Sequence, residues 1–246
     1  IGTTDLDHSE DLDIEASIDN AEVDYLLQAF NVQFPAQAIS RSDIISSWAG
    51  VRPVIGSESS KDPSRERRDH AVWSDNGLIT VSGGKLTTFR LIALDALAAA
   101  TARLPEAQRF TDERVFNSPQ IAAEELIPED PVWAQRLLGR YGSEARSLLD
   151  SAPPAEQRRI AGTDFCLAEC RWAARHEAVV HLDDLMLRRT RLGMVMVHGG
   201  LELLPFLETI CKSELSWDND HWHFEVKRYL SIWQRFYSLP DTHMHH

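Results

Sequence analysis

Residues 78–90 read Leu78-Ile79-Thr80-Val81-Ser82-Gly83-Gly84-Lys85-Leu86-Thr87-Thr88-Phe89-Arg90, and they set the architecture of the first half of the chain. Leu78 to Val81 has the β-branched composition of a strand. Two glycines at its end let backbone amides approach a ligand with no Cβ in the way. A helix is predicted from Leu86 to about Arg103, and its N-terminus favours an anion or a polarised carbonyl. The segment is not a Walker motif. Ile79 stands where the upstream glycine would be, and Leu86 follows Lys85 where serine or threonine is needed. Nor is it the dinucleotide fingerprint G-x-G-x-x-G. A tight turn with a capping threonine is the plainer reading of the same residues.

Working outward, Asp75-Asn76-Gly77 marks a turn, and His70, Val72 and Trp73 form a short strand before it. Ser57 to Arg68 lacks periodicity, contains Pro63 and reads as a surface loop. A strand is expected from Val51, with Pro53 placing it at an edge or bulge. Ser40 and Asp43 signal a short helix through Ile44, Ile45 and Trp48, closed by Gly50. Ser17 or Asp19 caps a helix whose apolar positions are Val23, Leu26, Leu27 and Phe30.

Beyond Pro105 the β-branched alternation gives way to helical patterns, which puts a domain boundary there and divides the chain into 1–104 and 105–246. Ser118 to Glu125 reads as a linker or short turn. Glu129-Asp130-Pro131 opens a helix carrying Val132, Trp133, Leu137 and Leu138, which ends at Tyr141-Gly142. Ala145, Leu148 and Leu149 lie on a second helix. A long one holds Cys166, Leu167, Cys170, Ala173 and Ala174, and further helices cover Leu182 to Arg188, parts of Gly200 to Lys212, and Trp222 to Tyr237. The fold class is α+β: part of an α/β domain followed by an all-helical domain.

The 246 residues are enough for one large core or two modest ones. Lys and Arg number 25 against 38 Asp and Glu, a formal charge of -13, so no nucleic-acid partner is expected. The N-terminal acidic block, which runs from Asp5 to Asp24 before the first Lys or Arg at Arg41, reads as solvated surface. No apolar run is long enough to cross a bilayer. Three cysteines suit a reducing compartment, and no signal peptide is evident, so cytoplasmic location is the default.

Arg52, between Val51 and Pro53, could hold a carboxylate or phosphate with its planar fork. Taken in order, Ile-Gly-Thr-Thr-Asp at 1–5, Gly-Val-Arg-Pro at 50–53 and Gly-Gly-Lys-Leu-Thr-Thr-Phe-Arg at 83–90 resemble the C-terminal half of the FAD-dependent glycerol-3-phosphate dehydrogenases. Glu129-Asp130-Pro131, Arg140-Tyr141-Gly142, Ala168-Glu169, Glu177, Asp183-Asp184-Leu185 and Arg188-Arg189-Thr190-Arg191-Leu192 are similar to the family's helical C-terminal domain.

The resemblance implies that 1–104 is the C-terminal part of an FAD- and substrate-binding domain. It implies that Arg52 and Lys85 lie near the substrate phosphate and the flavin, as catalytic residues. Gly83, Gly84, Lys85, Leu86, Thr87 and Thr88 would contact the FAD cofactor, and no metal is implied. The reaction would oxidise sn-glycerol 3-phosphate to dihydroxyacetone phosphate with hydride transfer to FAD and electrons passed to a quinone acceptor. Because the N-terminal dinucleotide fingerprint is absent, the chain is expected to need the missing N-terminal half as its partner, and alone to bind FAD weakly or not at all. A related oxygen-using glycerol-3-phosphate oxidase and a non-catalytic helical protein-binding module are the competing readings.

In the helical half, His176 and His181 are five residues apart and miss the H-E-x-x-H spacing of a zinc helix. His221-x-His223 could face one way only in a strand, and His243, His245 and His246 form a loose tail. Cys166 and Cys170 share a helical face and read as packing residues rather than a redox pair. Arg188, Arg189 and Arg191 beside Asp183 and Asp184 suit either a domain interface or a solvated helix end. Trp222, Val226, Tyr229, Trp233 and Phe236 make an aromatic stripe that serves as core packing, a homodimer surface or a contact with the cytoplasmic membrane face.

Overall fold

The computed structural model describes residues 1–52, 70–101 and 120–240. Pro53, the loop expected over 57–68, the boundary at 105 and the histidines at 243, 245 and 246 lie outside them. The described residues fall into two compact units, one within Thr3–Ile14 and Val51–Phe116, the other within Ile1–Gly2, Glu15–Gly50 and Asn117–His246. The architecture is a small two-stranded sheet followed by a largely helical domain.

The first unit is built on an antiparallel pair, β1 (His70–Asp75) and β2 (Leu78–Gly83). Asn76 and Gly77 both have positive φ, 45° and 97°, so a two-residue turn of the hairpin-compatible hand fixes the register. That register sets Asp75 opposite Leu78 and His70 opposite Gly83. The helix α2 (Phe89–Ala100) packs on both strands. No described residue of this unit is fully buried. Two expectations are corrected here. Val51 and Arg52 are irregular rather than a strand start. The helix begins at Phe89 rather than Leu86, because Leu86–Thr88 first makes one 3-10 turn whose last residue closes back on Lys85.

In the second unit α1 (Asn20–Gln33) starts where the sequence signals it. Asp19 accepts from the Glu22 amide at 2.8 Å, and Glu22 accepts from the Asp19 amide at 3.1 Å, a reciprocal capping box. The helix expected after Ser40 is a single 3-10 turn, Arg41–Asp43. The chain leaves the turn at Ile44, which is extended, because the β-branched pair Ile44-Ile45 favours that conformation, and the irregular segment after it finds partners outside a helix. Ser46 Oγ donates to the Met194 carbonyl at 2.6 Å, and the Ser47 amide to the Tyr237 carbonyl at 2.8 Å.

Two apolar clusters form the core of this unit. One gathers α3 (Ala123–Leu126), α4 (Pro131–Tyr141) and α5 (Ala145–Asp150) around Leu137 and Leu148, both fully buried. The other gathers α7 (Leu192–Val195), α8 (Leu204–Leu215) and α9 (Asn219–Ile232) around Leu207, Ile210 and Tyr229. Helix α6 (Leu167–His176) serves both, giving Ala168 to the first and Cys170, Ala173 and Ala174 to the second.

This placement corrects one part of the cysteine reading, the shared helical face, and bears out the other, that both are buried packing residues. The helix starts at Leu167, so Cys166 is its cap residue and joins the first cluster while Cys170 joins the second. All three cysteines are buried and unpaired. Burial pushes the Cys166 and Cys211 thiols up to about 12 and the Cys170 thiol well above its ordinary range.

The aromatic stripe of α9 turns inward: Trp222 and Tyr229 are buried, and Val226 and Trp233 pack against the same cluster. The stripe continues past Ile232 in a wider π-turn, Trp233–Tyr237. Opposite it, His198, Gly199 and Gly200 take left-handed φ values of 52°, 67° and 71° in succession. A Cβ on Gly199 would stand 2.9 Å from the Trp233 ring, and the Gly199 carbonyl accepts from the Tyr229 hydroxyl at 2.5 Å.

Buried charges in this unit are paired, as they must be. Glu169, with no exposed surface, accepts from Arg136 at 2.7 Å, the Tyr141 hydroxyl at 3.0 Å and the Cys166 amide at 2.9 Å. Arg171 bridges Glu156, at 2.6 Å, and Glu214. Arg188 binds Asp183 at 2.6 Å and Asp184 at 3.2 Å, and Arg228 also binds Asp183, so of the basic run Arg188 alone is tied to the acidic pair, while Arg189 Nε is buried without a hydrogen-bond partner.

Candidate functional site

The glycine turn lies at the end of β2. Gly83 and Gly84 have φ of 77° and 86°, a region that residues with a Cβ rarely occupy. Space gives the same answer at Gly84, where a Cβ would lie 2.5 Å from Ile92 Cδ1 on α2 and 3.2 Å from His70 Cβ on β1. The turn is therefore pressed onto its own hairpin and helix on one side, while Gly83, Lys85, Leu86 and Thr87 are exposed on the other.

Thr88 closes the turn. Its hydroxyl donates to the Lys85 carbonyl at 2.9 Å and accepts from the Lys85 amide at 3.3 Å, and its amide donates to the same carbonyl at 3.0 Å. Leu86 is 88% exposed, an apolar side chain held out at the start of a helix. Lys85 brings a cation to the positive end of the α2 dipole, and the two reinforce each other towards an anion. The six contiguous expected residues, Gly83 to Thr88, thus form one strand-to-helix junction, exposed at Gly83, Lys85, Leu86 and Thr87.

Arg52 has a different anchor. Its Nη2 donates to both carboxylate oxygens of Asp5, at 3.1 and 3.2 Å. A guanidinium has five N–H donors, and this contact occupies one nitrogen. Asp5 was legible only as part of the Ile-Gly-Thr-Thr-Asp stretch; its pairing across 47 residues was not. A second pair escaped the sequence altogether: His70 Nε2 and Asp95 Oδ2 are 2.7 Å apart, beneath the glycine turn. The two-residue turn already fixes His70 opposite Gly83, so half of that relationship could have been counted from the hairpin.

Two histidines of the helical unit, His181 and His221, share the buried Glu225 as neighbour, the second at 3.9 Å, and the other described ones do not join them. His176 lies against Trp172, ring centroids 4.1 Å apart, whereas His181 Nδ1 sits 2.9 Å from the buried Glu225. His221 and His223 are on α9, where a spacing of two puts them on different faces. A shallow concavity of about 490 Å³ is lined by Arg159 to Phe165 and Val195, and its Arg159 is already paired with Asp130 and Asp164.

These features define an α+β protein whose first unit presents a glycine-rich, cationic strand-to-helix junction and whose second is a self-packed helical domain. Residues 99–221 match the family described as the C-terminal domain of alpha-glycerophosphate oxidase. The chain is 31% identical to a glycerol-3-phosphate dehydrogenase of Mycobacterium leprae over 93% of its own length and 41% of the relative's. It is 34% identical to glycerol-3-phosphate dehydrogenase 1 of Mycobacterium tuberculosis over 79% of the chain and 39% of that protein. Among solved structures it shares its fold, with a TM-score of 0.65 and 23% identity, with the Bacillus halodurans glycerol-3-phosphate dehydrogenase complexed with FAD, covering 94% of this chain and 48% of that one. The chain belongs to the glycerol-3-phosphate dehydrogenase family and corresponds to its C-terminal portion. It spans about 41% of the length of that Mycobacterium leprae relative.

Proposed function

We propose that the chain acts as part of an FAD-dependent enzyme that oxidises sn-glycerol 3-phosphate to dihydroxyacetone phosphate and passes the electrons to a quinone. Residues 1–104 are the flavin- and substrate-facing part in this reading, and 105–246 the appended helical domain. The observation that carries it is the junction Gly83 to Thr88: two glycines at positive φ, an exposed lysine and an exposed leucine at a helix start, in a chain of this family. The junction fits a flavin locally, because exposed side-chain-free backbone can approach a ring edge and Leu86 can cover an apolar face.

When bound, FAD supplies the hydride acceptor. The chain's own residues do the rest of the work assigned to this site. Gly83 and Gly84 open the approach, Thr87 and Thr88 flank it, and Thr88 holds the Lys85 backbone in place. Lys85 and Arg52 neutralise the substrate phosphate, a dianion that requires a cationic clamp even in a protein of net charge -13. Asp5 fixes where the Arg52 guanidinium stands.

The test uses the complete polypeptide that contains this chain, assayed for sn-glycerol 3-phosphate-dependent reduction of a quinone analogue and, separately, for oxygen consumption. Turnover with quinone is expected. Loss of one charge-assisted contact should lower kcat/KM by about 10- to 100-fold, Arg52→Ala more than Lys85→Ala because a fork is lost. Turnover with oxygen alone would make it an oxidase, and unchanged kcat/KM in both variants would remove the site.

A further inference from the structure

The hairpin and α2 are joined by two contacts of different kind on one helix face. Ile92 and Asp95 are three residues apart and so lie on the same side of α2. Ile92 meets Gly84, so closely that a Cβ there has no room, and Asp95 Oδ2 lies 2.7 Å from His70 Nε2. An ionised carboxylate only accepts, so Nε2 carries the donated proton. His70 itself, with 16% of its side chain exposed, stands directly under the turn: its Cβ is the second atom that an added Gly84 Cβ would strike, and its backbone is in register with Gly83.

An apolar contact such as Ile92 against a glycine resists separation but is nearly indifferent to small rotation or sliding. A hydrogen bond is directional. With no fully buried side chain in this unit's described residues to lock α2, the His70–Asp95 bond supplies a directional restraint on how the helix meets the hairpin.

We infer that His70 is a positioning residue: held by Asp95, it sets the opening of the Gly83–Thr88 junction and thereby the placement of the flavin and of Lys85. This inference rests on the functional reading given above. His70 does not touch the reacting atoms in this scheme; it acts through Gly84 and α2. The carboxylate on α2 and the imidazole on β1 therefore form one device with the turn, although 25 residues separate them in sequence.

The test is made on the complete polypeptide with His70→Ala, His70→Gln, Asp95→Ala and the double variant. Amide exchange at Gly84 to Thr88 should quicken by about tenfold in His70→Ala, the size expected for losing one charge-assisted hydrogen bond, while α4 to α6 exchange as before. FAD affinity should weaken by a similar factor, with kcat falling more than KM rises. His70→Gln, whose amide can still donate to Asp95, should recover most of both, and Asp95→Ala should add nothing to His70→Ala. Turn exchange and FAD affinity within twofold of wild type in His70→Ala would overturn the inference. So would faster exchange with unchanged FAD affinity and kcat, since the pair would then only hold the fold. A wild-type protein that takes up no FAD sinks the functional reading instead, and the exchange of the junction still decides whether His70 and Asp95 hold it.

Discussion

The two units of this molecule differ in where their apolar side chains go. In the helical unit, Leu137, Leu148, Leu207 and Tyr229 are wholly buried in two clusters that share α6. In the hairpin unit no described residue is fully buried, and Leu78, Leu86 and Leu91 are 68%, 88% and 53% exposed. At about 25 cal/mol per Å² of buried apolar surface, the first arrangement generates folding free energy and the second generates little. Stability and candidate chemistry are thus carried by different stretches of one chain: the helical unit holds itself together, while the hairpin unit displays backbone, cations and apolar surface.

The sharpest way to break that contrast is Glu169→Ala. It strips a fully buried carboxylate from Arg136, Tyr141 and the Cys166 amide at once. Burial, reinforced by Glu169, raises the Tyr141 hydroxyl far above its ordinary range, so that proton stays in place and points at the carboxylate. Urea unfolding of the helical unit should lose about 3–5 kcal/mol. A loss below about 1 kcal/mol would mean that this unit does not depend on its buried charges.

Gly84→Ala asks the converse of the hairpin unit. It imposes a Cβ at φ 86° against Ile92 and His70. The expected cost is about 1–3 kcal/mol, confined to the hairpin and α2. Hydrogen exchange should rise over 78–92 with the helical unit's unfolding free energy unmoved; a change in that free energy of more than about 1 kcal/mol would show that the units are energetically one.

The smallest effect concerns acid. Hydrogen bonds from Arg175, with Arg171 assisting against the opposing pull of burial, hold Glu214 down at about 2, against an ordinary value of 4.5. The stabilisation is complete above pH 4.5 and is lost as pH falls from there towards 2. Thermal unfolding of Glu214→Gln should show a flatter acid limb than wild type over that window, and parallel limbs would dismiss the linkage.

What could be read from sequence follows the range of the interactions. Asp19 ahead of α1, Asp130 before Pro131 and the Asp75-Asn76-Gly77 turn act over two to four residues, so these helix starts and the turn were legible in the sequence, whereas the strand pairing across the turn was not named. The helix expected through Trp48 stopped at Asp43 because its partners, Met194 and Tyr237, lie far along the chain. Cys166 and Cys170 have helical spacing, yet the helix starts between them. For the site, the glycine junction was legible as a local pattern. Asp5 under Arg52 and Asp95 beside His70 were not, since nothing local in either carboxylate announces which cation or imidazole the fold will bring to it.

The left-handed run at His198 to Gly200 has a consequence for how this sequence can vary in length. Trp233 is seated against bare backbone at Gly199, and Tyr229 bonds the same residue's carbonyl. Inserting or deleting one residue of α9 ahead of Tyr229 would turn both rings by about 100° around the helix and carry them off that glycine. The helix is keyed at a single register, so length variation belongs in the connections before it, and α9 itself admits substitution but not resizing.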